Sequence, residues 1–444
     1  MIDPADCWAY GYDNSCHHAL PQAVAFATSH DQVAATVSAC NQYNISLTTR
    51  GRGTGTTGAT VPVKGGLVLS MERMDRIIEF SPDNRYITVQ PGIINQELQN
   101  IVGEKGFFWP PDPTSAAFST VGGNLAYNSA GPRAIKYGTP RENTLGLRAI
   151  TGEGNEIQVG VRTSKGVVGY DLTRLILGSE GTRAIITEAT LKRTPLPETK
   201  KTLRVFYSSV QAATKAITKI MAQPITPCAL EFIDGNAIDM IRQYSKLDLP
   251  DNAGALLMIE VDGPSIGIDY AADAVADAAR NSGVLNIDIA RTKDEIEALW
   301  KTRKALSPAL RKVAPKKINE DVVVPVTEIP SLIEGLNRLS KAYRLPIINF
   351  GHAGNGNIHV NLLLDPDNPI EREKAQHCLN EIFSLVLKLK GTLSGEHGVG
   401  IEKRDFIGRE LDGNSLSLMR NIKAQFDPNG ILNPEKIFPR LVGK

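Results

Sequence analysis

Two short, glycine-rich stretches concentrate the side chains best able to do chemistry: Gly351-His352-Ala353-Gly354-Asn355-Gly356-Asn357-Ile358-His359 and Ser394-Gly395-Glu396-His397-Gly398. Neutral imidazole nitrogens and a carboxylate are the ligands that hold zinc or manganese in a catalytic site while leaving positions for water or substrate. A single histidine is more often a hydrogen-bonded polar residue than a ligand, so the chemistry depends on elements that gather the set. Residues 347–350 read as a buried strand, 358–362 as an alternating one, and 353–357 as the tight turn between them. His352 and His359 then stand close together on neighbouring strands. Alternation sends His359 and Asn361 to the same face, so two imidazoles and an amide address one cavity, with Glu396 as the candidate carboxylate.

The first half is organised differently: from about residue 20 to 196, short β-like runs are separated by glycine turns. A strand at 45–49 leads into Arg50-Gly51-Arg52-Gly53-Thr54-Gly55-Thr56-Thr57-Gly58. Here Gly53-x-Gly55-x-x-Gly58 matches a dinucleotide fingerprint, with Glu72 near the position of a ribose-binding acid. The match fails on physical grounds. Such a unit needs a helix opening at its last glycine to hold the pyrophosphate, whereas β-branched residues, Pro62 and Gly65-Gly66 follow. What remains is a run of small residues whose backbone amides can converge on phosphate oxygens, with hydroxyls to assist. A second stretch runs from Pro110-Pro111-Asp112-Pro113 through residues 120–131 to Tyr137-Gly138, and a third is Leu177-Gly178-Ser179-Glu180-Gly181-Thr182. Three such stretches with little bulk can line one long, extended ligand.

At 444 residues the chain can build two or three domains with substantial cores. Its net charge of +1 supplies no global field for nucleic acid or an anionic membrane. Residues 1–15 carry acids and no basic, apolar leader, so no secretory signal is expected. No apolar run approaches the roughly 20 residues of a membrane span. Five cysteines without a Cys-x-x-Cys pair suggest neither an iron–sulfur cluster nor a disulfide framework. A soluble, cytoplasmic protein is expected, with docking at the inner membrane left open.

Residues 195–201, rich in proline and charge, form the clearest linker. Beyond them, strands at 203–207, 229–233, 256–261 and 285–290 alternate with helices at 210–221 and 270–281, a pattern open to either a parallel or an antiparallel sheet. A helix over 295–313 carries Trp300, Arg303 and Ser307 near one face, where the Arg303 guanidinium could grip a carboxylate. On the residues alone, Lys301, Lys304, Arg311 and Lys312 favour a solvated basic helix. The expected domains are 1–196, 197–405 and a C-terminal return over 406–444.

In the order and content of these motifs the chain resembles the FAD-linked D-2-hydroxyacid dehydrogenases, a group that spans D-lactate and D-2-hydroxyglutarate dehydrogenases and the glycolate oxidase flavin subunit. Nearly the whole first half resembles the FAD-binding domain of the vanillyl-alcohol-oxidase type. The resemblance implies an α+β fold: a two-subdomain FAD-binding domain, an α+β cap with an antiparallel sheet plus helices, and a C-terminal helical return. It also implies that Arg50, Gly51, Arg52, Gly53, Thr54, Gly55, Thr56 and Gly58 cradle the pyrophosphate. Gly122, Gly123, Asn124 and Ser129 would run along the flavin, with Pro111, Asp112, Tyr137 and Gly138 in the same stretch. Gly178, Glu180, Gly181 and Ile185 would close the adenine end, and Asn433 would join from the C-terminal return. The pyrophosphate loop has no histidine, which implies non-covalent FAD. His352, His359 and Glu396 are implied as ligands of zinc or manganese with Asn361 close by, His397 as catalytic base, and Arg303 as the partner of a substrate carboxylate. Two departures stand out: Pro132 follows Gly131 where a second glycine is usual, and Arg183-Ala184 replaces a Leu-Gly pair.

The function so implied is oxidation of a small D-2-hydroxy acid to the 2-keto acid with hydride transfer to FAD. D-lactate is the first choice of substrate, and D-2-hydroxyglutarate and glycolate are alternatives. A quinone, a cytochrome or an electron-transfer flavoprotein would take the electrons; a homodimer, or a place as the flavin subunit of a larger complex, would fit. A metal-dependent hydrolase built on the histidines and Glu396 is the reading from another class, and it leaves the three glycine-rich stretches unexplained.

Overall fold

The computed structural model describes residues 1–440 except 245–248, 291, 305, 307–309 and 311–315. The chain folds into two compact units: one comprises Met1–Gly131, Gly138–Leu196 and the chain from Glu396 on, the other Pro132–Tyr137 and Pro197–Gly395.

In the first unit, strands β1 (Ala23–Phe26), β2 (Leu47–Arg50) and β3 (Leu67–Ser70) form a parallel sheet in the order β1-β3-β2. The helix His30–Gln42 links the first two. Ser29 caps it by accepting the Gln32 N–H, and Val33, Val37 and Cys40, spaced to share one face, are buried. No helix follows Gly58: the chain passes through turns to β3. A second sheet, antiparallel, is ordered β4-β5-β9-β7-β8 from β4 (Ile77–Ser81), β5 (Tyr86–Val89), β7 (Thr144–Thr151), β8 (Glu156–Gly160) and β9 (Ala184–Lys192). The short strands β6 (Phe107–Phe108) and β10 (Thr194–Pro195) pair with each other. The end of the chain is part of this unit, because Leu432 bridges Leu47 in parallel and is fully buried.

The second unit is built on a sheet whose described strands are β11 (Thr199–Tyr207), β12 (Ala229–Asp234), β13 (Ala255–Gly263), β14 (Val284–Ala290), β15 (Lys316–Val323), β16 (Ile347–His352) and β17 (Asn357–Leu364). Their order is β14-β11-β13-β12-β16-β17-β15 and every pairing is antiparallel, which resolves the strand–helix alternation in favour of an α+β layer. One face is apolar at one end, where Phe206, Ile233, Met258 and Phe350 pack with Ala237, Ile238 and Ile241 of the helix Gly235–Tyr244. On the other face the buried Tyr207 hydroxyl donates to Ala279 O, at the end of the helix Ile268–Ala279. The helix expected over 295–313 is observed as Lys293–Lys304. Among the described residues, no helix is long and apolar enough to cross a membrane.

Candidate active site

A cleft opens in the first unit. Its walls come from the end of β2 and the turns after it, from residues 120–127, and from the segment entering β9. Small residues (Gly51, Gly122, Gly123, Gly181) and hydroxyls (Thr49, Thr60, Thr120, Ser179) share the lining with Arg50 and an apolar group that includes Ile176, Ile185 and Ile186. This combination suits a dinucleotide, whose phosphates need small residues and donors and whose ring needs an apolar slot. Two observations fit such a ligand. The Thr49 hydroxyl is shielded from solvent and has no hydrogen-bond partner among the described residues. A Cβ built on Gly123 would meet only Thr120 Oγ1, at 3.3 Å, so a side chain there would enter the cleft and not the protein.

The second glycine-rich stretch is a helix, Val121–Tyr127, and not a loop: Thr120 caps it by accepting the Gly123 N–H, and Asn128 ends it in the left-handed conformation, at φ 58°. Arg50 is almost fully buried and donates to Tyr12 O at 2.5 Å. Burial lowers its pKa, and Asp13 opposes that shift.

The acid–histidine segment is stitched to the three glycine-rich stretches within this unit. Glu396 Oε1 accepts the Gly131 N–H at 3.0 Å, and its carbonyl accepts the Ser129 hydroxyl at 3.2 Å. Thr57 Oγ1 donates to His397 O at 3.2 Å, and Thr57 O accepts the Ile401 N–H at 2.8 Å. The Glu180 carboxylate accepts the N–H groups of Val399 and Gly400 at 2.6 and 2.8 Å. Burial raises Glu180 to about 7, against the pull of those two amides and of Lys436 and Lys403. Lys436, buried likewise, is lowered to about 8.

In the second unit, register brings Glu231, His352, His359 and Asp321 to one face of adjoining strands, since Glu231 pairs with His352, Phe350 with His359, and Asp321 with His359. The two imidazoles stand edge to face with centroids 5.2 Å apart, and both are 8% exposed. His352 Nδ1 contacts Glu231 Oε1. That contact assigns the ring proton to Nδ1 and the lone pair to Nε2, the tautomer of a metal-ligating imidazole steadied by a carboxylate. Asn361 Oδ1 accepts from Lys317 at 3.0 Å, while its amide donates to Ile348 O and His359 O. Asp321 is fully buried and accepts from the Ser394 hydroxyl and the Gly395 N–H, at 3.1 and 2.9 Å. Among the described residues, no three His, Cys, Asp or Glu side chains are grouped so as to hold a metal. The chemistry of the donor pair fits one nonetheless.

Of the residues singled out from the sequence, Arg50, Gly51, Gly122, Gly123, Glu180, Gly181 and Ile185 line the cleft. Others support its walls: Asn124 accepts from Asn95 at 3.0 Å, Gly178 donates to Leu125 O, and the Asn433 amide donates to Ala59 O and Glu180 O at 2.8 and 2.7 Å. Pro111 O accepts from Asn95, and the Asp112 N–H donates to Ala130 O. Arg52 instead pairs with Glu72 at 3.4 Å. Thr54 O accepts from Asn14, Gly55 abuts Tyr127, Gly58 abuts Ile401, and Gly138 abuts Glu142. Thr56 is half-buried beside them and does not line this cleft. Tyr137 belongs to the second unit and donates to Asp262 at 2.8 Å. The Arg303 side chain and Ser307 lie outside the described residues. Sequence reasoning missed Glu231, Tyr127 and Thr49. An acid between apolar neighbours inside the strand Ala229–Asp234 was the available signal for Glu231.

Comparison with known proteins agrees with this geometry. Residues 21–160 match the family description "FAD binding domain" and residues 196–437 match "FAD linked oxidases, C-terminal domain". The chain is 38% identical to the glycolate oxidase subunit GlcD of Bacillus subtilis, over 97% of this chain and 92% of that protein. It is 31% identical to the D-lactate dehydrogenase of Anaerostipes hadrus, over 95% and 90%. The crystal structure of p-cresol methylhydroxylase with substrate bound shares the fold at a TM-score of 0.80 and 18% identity, over 99% of this chain and 94% of that one.

Proposed function

We propose, for a chain that belongs to the FAD-linked oxidases and has the vanillyl-alcohol-oxidase-type α+β fold, that it oxidises a small D-2-hydroxy acid to the 2-keto acid, with D-lactate as the first substrate to try. One observation carries the reading: the segment from Glu396 to Ile401, with its paired acid and imidazole, is hydrogen-bonded to the walls of a cleft that fits a dinucleotide.

FAD, held without a covalent bond along Gly51, Gly123 and Gly181, would take up the hydride from C2, and zinc or manganese, held by His352, His359 and Glu396, would acidify the substrate hydroxyl. His397 accepts the hydroxyl proton through the lone pair of its imidazole, the general-base role open to a positioned histidine. Glu231 fixes the His352 ring, and Arg303 binds the substrate carboxylate. A quinone, a cytochrome or an electron-transfer flavoprotein then takes the electrons.

Anaerobic mixing with a panel of 2-hydroxy acids tests the reading directly. Bleaching of the flavin by the D-enantiomer of at least one is expected; a yellow protein that none of them reduces would refute it. The likeness to a glycolate oxidase subunit favours a second reading, in which the chain carries the flavin of a larger complex. Turnover of the lone chain with an artificial acceptor would speak against a required partner.

A further inference from the structure

Three segments far apart in sequence meet on Glu180. Its N–H donates to Ala126 O at 2.9 Å, its carbonyl accepts from Asn433 at 2.7 Å, and its carboxylate receives Val399 and Gly400. The residue is 5% exposed and its backbone lies at φ 52°, a conformation that disfavours any side chain but is fixed here from all sides. A carboxylate in a cleft wall can be spent on the ligand. Here both oxygens are spent on the protein. They grip the two amides that lie two and three residues beyond His397, while Thr57 holds the His397 carbonyl. The fit is close, because a Cβ on Gly398 would come within 2.6 Å of Glu180 Oε1. The peptide that carries the imidazole is therefore fastened at both ends, and one fastening is itself part of the cleft wall.

We propose that Glu180 is a positioning residue for His397: by clamping the Val399 and Gly400 amides to the flavin cleft, it sets where the imidazole stands relative to the bound cofactor. This rests on the reading of His397 as the proton acceptor. The side chain earlier implied as a cofactor contact then acts through the segment it holds. Two hydrogen bonds to adjacent amides from one side chain fix direction as well as distance. A misplacement of about 1 Å at a reacting group can cost on the order of 100-fold in rate.

The test is Glu180→Gln, which keeps the shape but turns one acceptor oxygen into an NH2 facing an amide N–H. FAD occupancy is expected to persist, and the Val399 and Gly400 amides to exchange hydrogen about tenfold faster or more, in protein with and without substrate. Per bound flavin, reduction by the best substrate is expected to slow roughly 10- to 100-fold, with the loss in kcat and not in KM, and the acid limb of the pH–rate profile is expected to shift. Unchanged exchange at these amides overturns the clamp. Activity lost only in proportion to flavin overturns the positioning role and leaves a cofactor contact. Should the variant not fold, exchange in the native protein decides: amides of Val399 and Gly400 as labile as open loop overturn the proposal. If no 2-hydroxy acid reduces the native enzyme, the functional reading falls by itself, and the exchange measurement still decides the clamp.

Discussion

At the scale of single residues, the sequence disclosed the histidines but not what steadies them. Alternation along a strand sufficed to put His359 and Asn361 on one face, because it is a local property of the backbone. Glu231 arrives from a strand more than a hundred residues earlier, and only register brings it to His352. Replacing Glu231 with Ala is expected to weaken metal affinity about 10- to 100-fold while FAD stays bound, as measured by metal titration beside the flavin spectrum. His397→Asn should slow flavin reduction about 100- to 10,000-fold with FAD and metal retained, read by stopped flow; a loss under about tenfold would shift the proton to another acceptor. The neighbouring glycines separate two requirements. A Cβ on Gly122 would strike Pro91 at 2.5 Å, whereas one on Gly123 points into the cleft. Gly123→Val should abolish FAD binding at nearly native stability, and Gly122→Val should cost stability as well, which titration of the apo proteins with FAD and thermal melts would distinguish.

At the scale of elements, the helix Val121–Tyr127 is hidden in the sequence because glycine costs about 1 kcal/mol in a helix, and two of them sit in its first turn. The Thr120 cap and the buried Val121 and Leu125, four apart, outweigh that cost. The cap sheet was legible as strands but not as a sheet, since alternating strands and helices are compatible with either direction until the pairing is known. Asp321 shows how an element places a motif it does not contain. From β15 it accepts the Ser394 hydroxyl and the Gly395 N–H immediately before Glu396. Asp321→Ala takes the carboxylate acceptor from both donors, leaving the Gly395 N–H only the Asp321 backbone oxygen, and a loss of about 1–3 kcal/mol in denaturant unfolding is expected, together with weaker metal binding.

For the whole molecule, the Pro-rich stretch at 195–201 announced a boundary, because proline and charge resist both helix and core. Nothing local announced that residues 132–137 fold with the second unit. Stability against pH offers a global measurement. Burial raises Glu180 from 4.5 to about 7, so the folded chain holds that proton more tightly than the unfolded one. The stability it contributes is fully present below about pH 4.5 and is lost as pH rises through about 7, an amount of about 3 kcal/mol at most. Lys436 titrates above that window. Glu180→Gln should therefore gain on the native protein between pH 5 and pH 8, and parallel pH–stability curves would contradict the shift.

The parallel bridge between Leu432 and Leu47, with Asn433 reaching Ala59 and Glu180, has a consequence for biosynthesis. A chain still on the ribosome has made β2 and every cleft-lining residue long before it makes the strand segment that seals them. Cofactor acquisition then becomes a report that translation has finished, and a nascent or truncated chain ending before Pro428 should emerge colourless even in a cell replete with FAD.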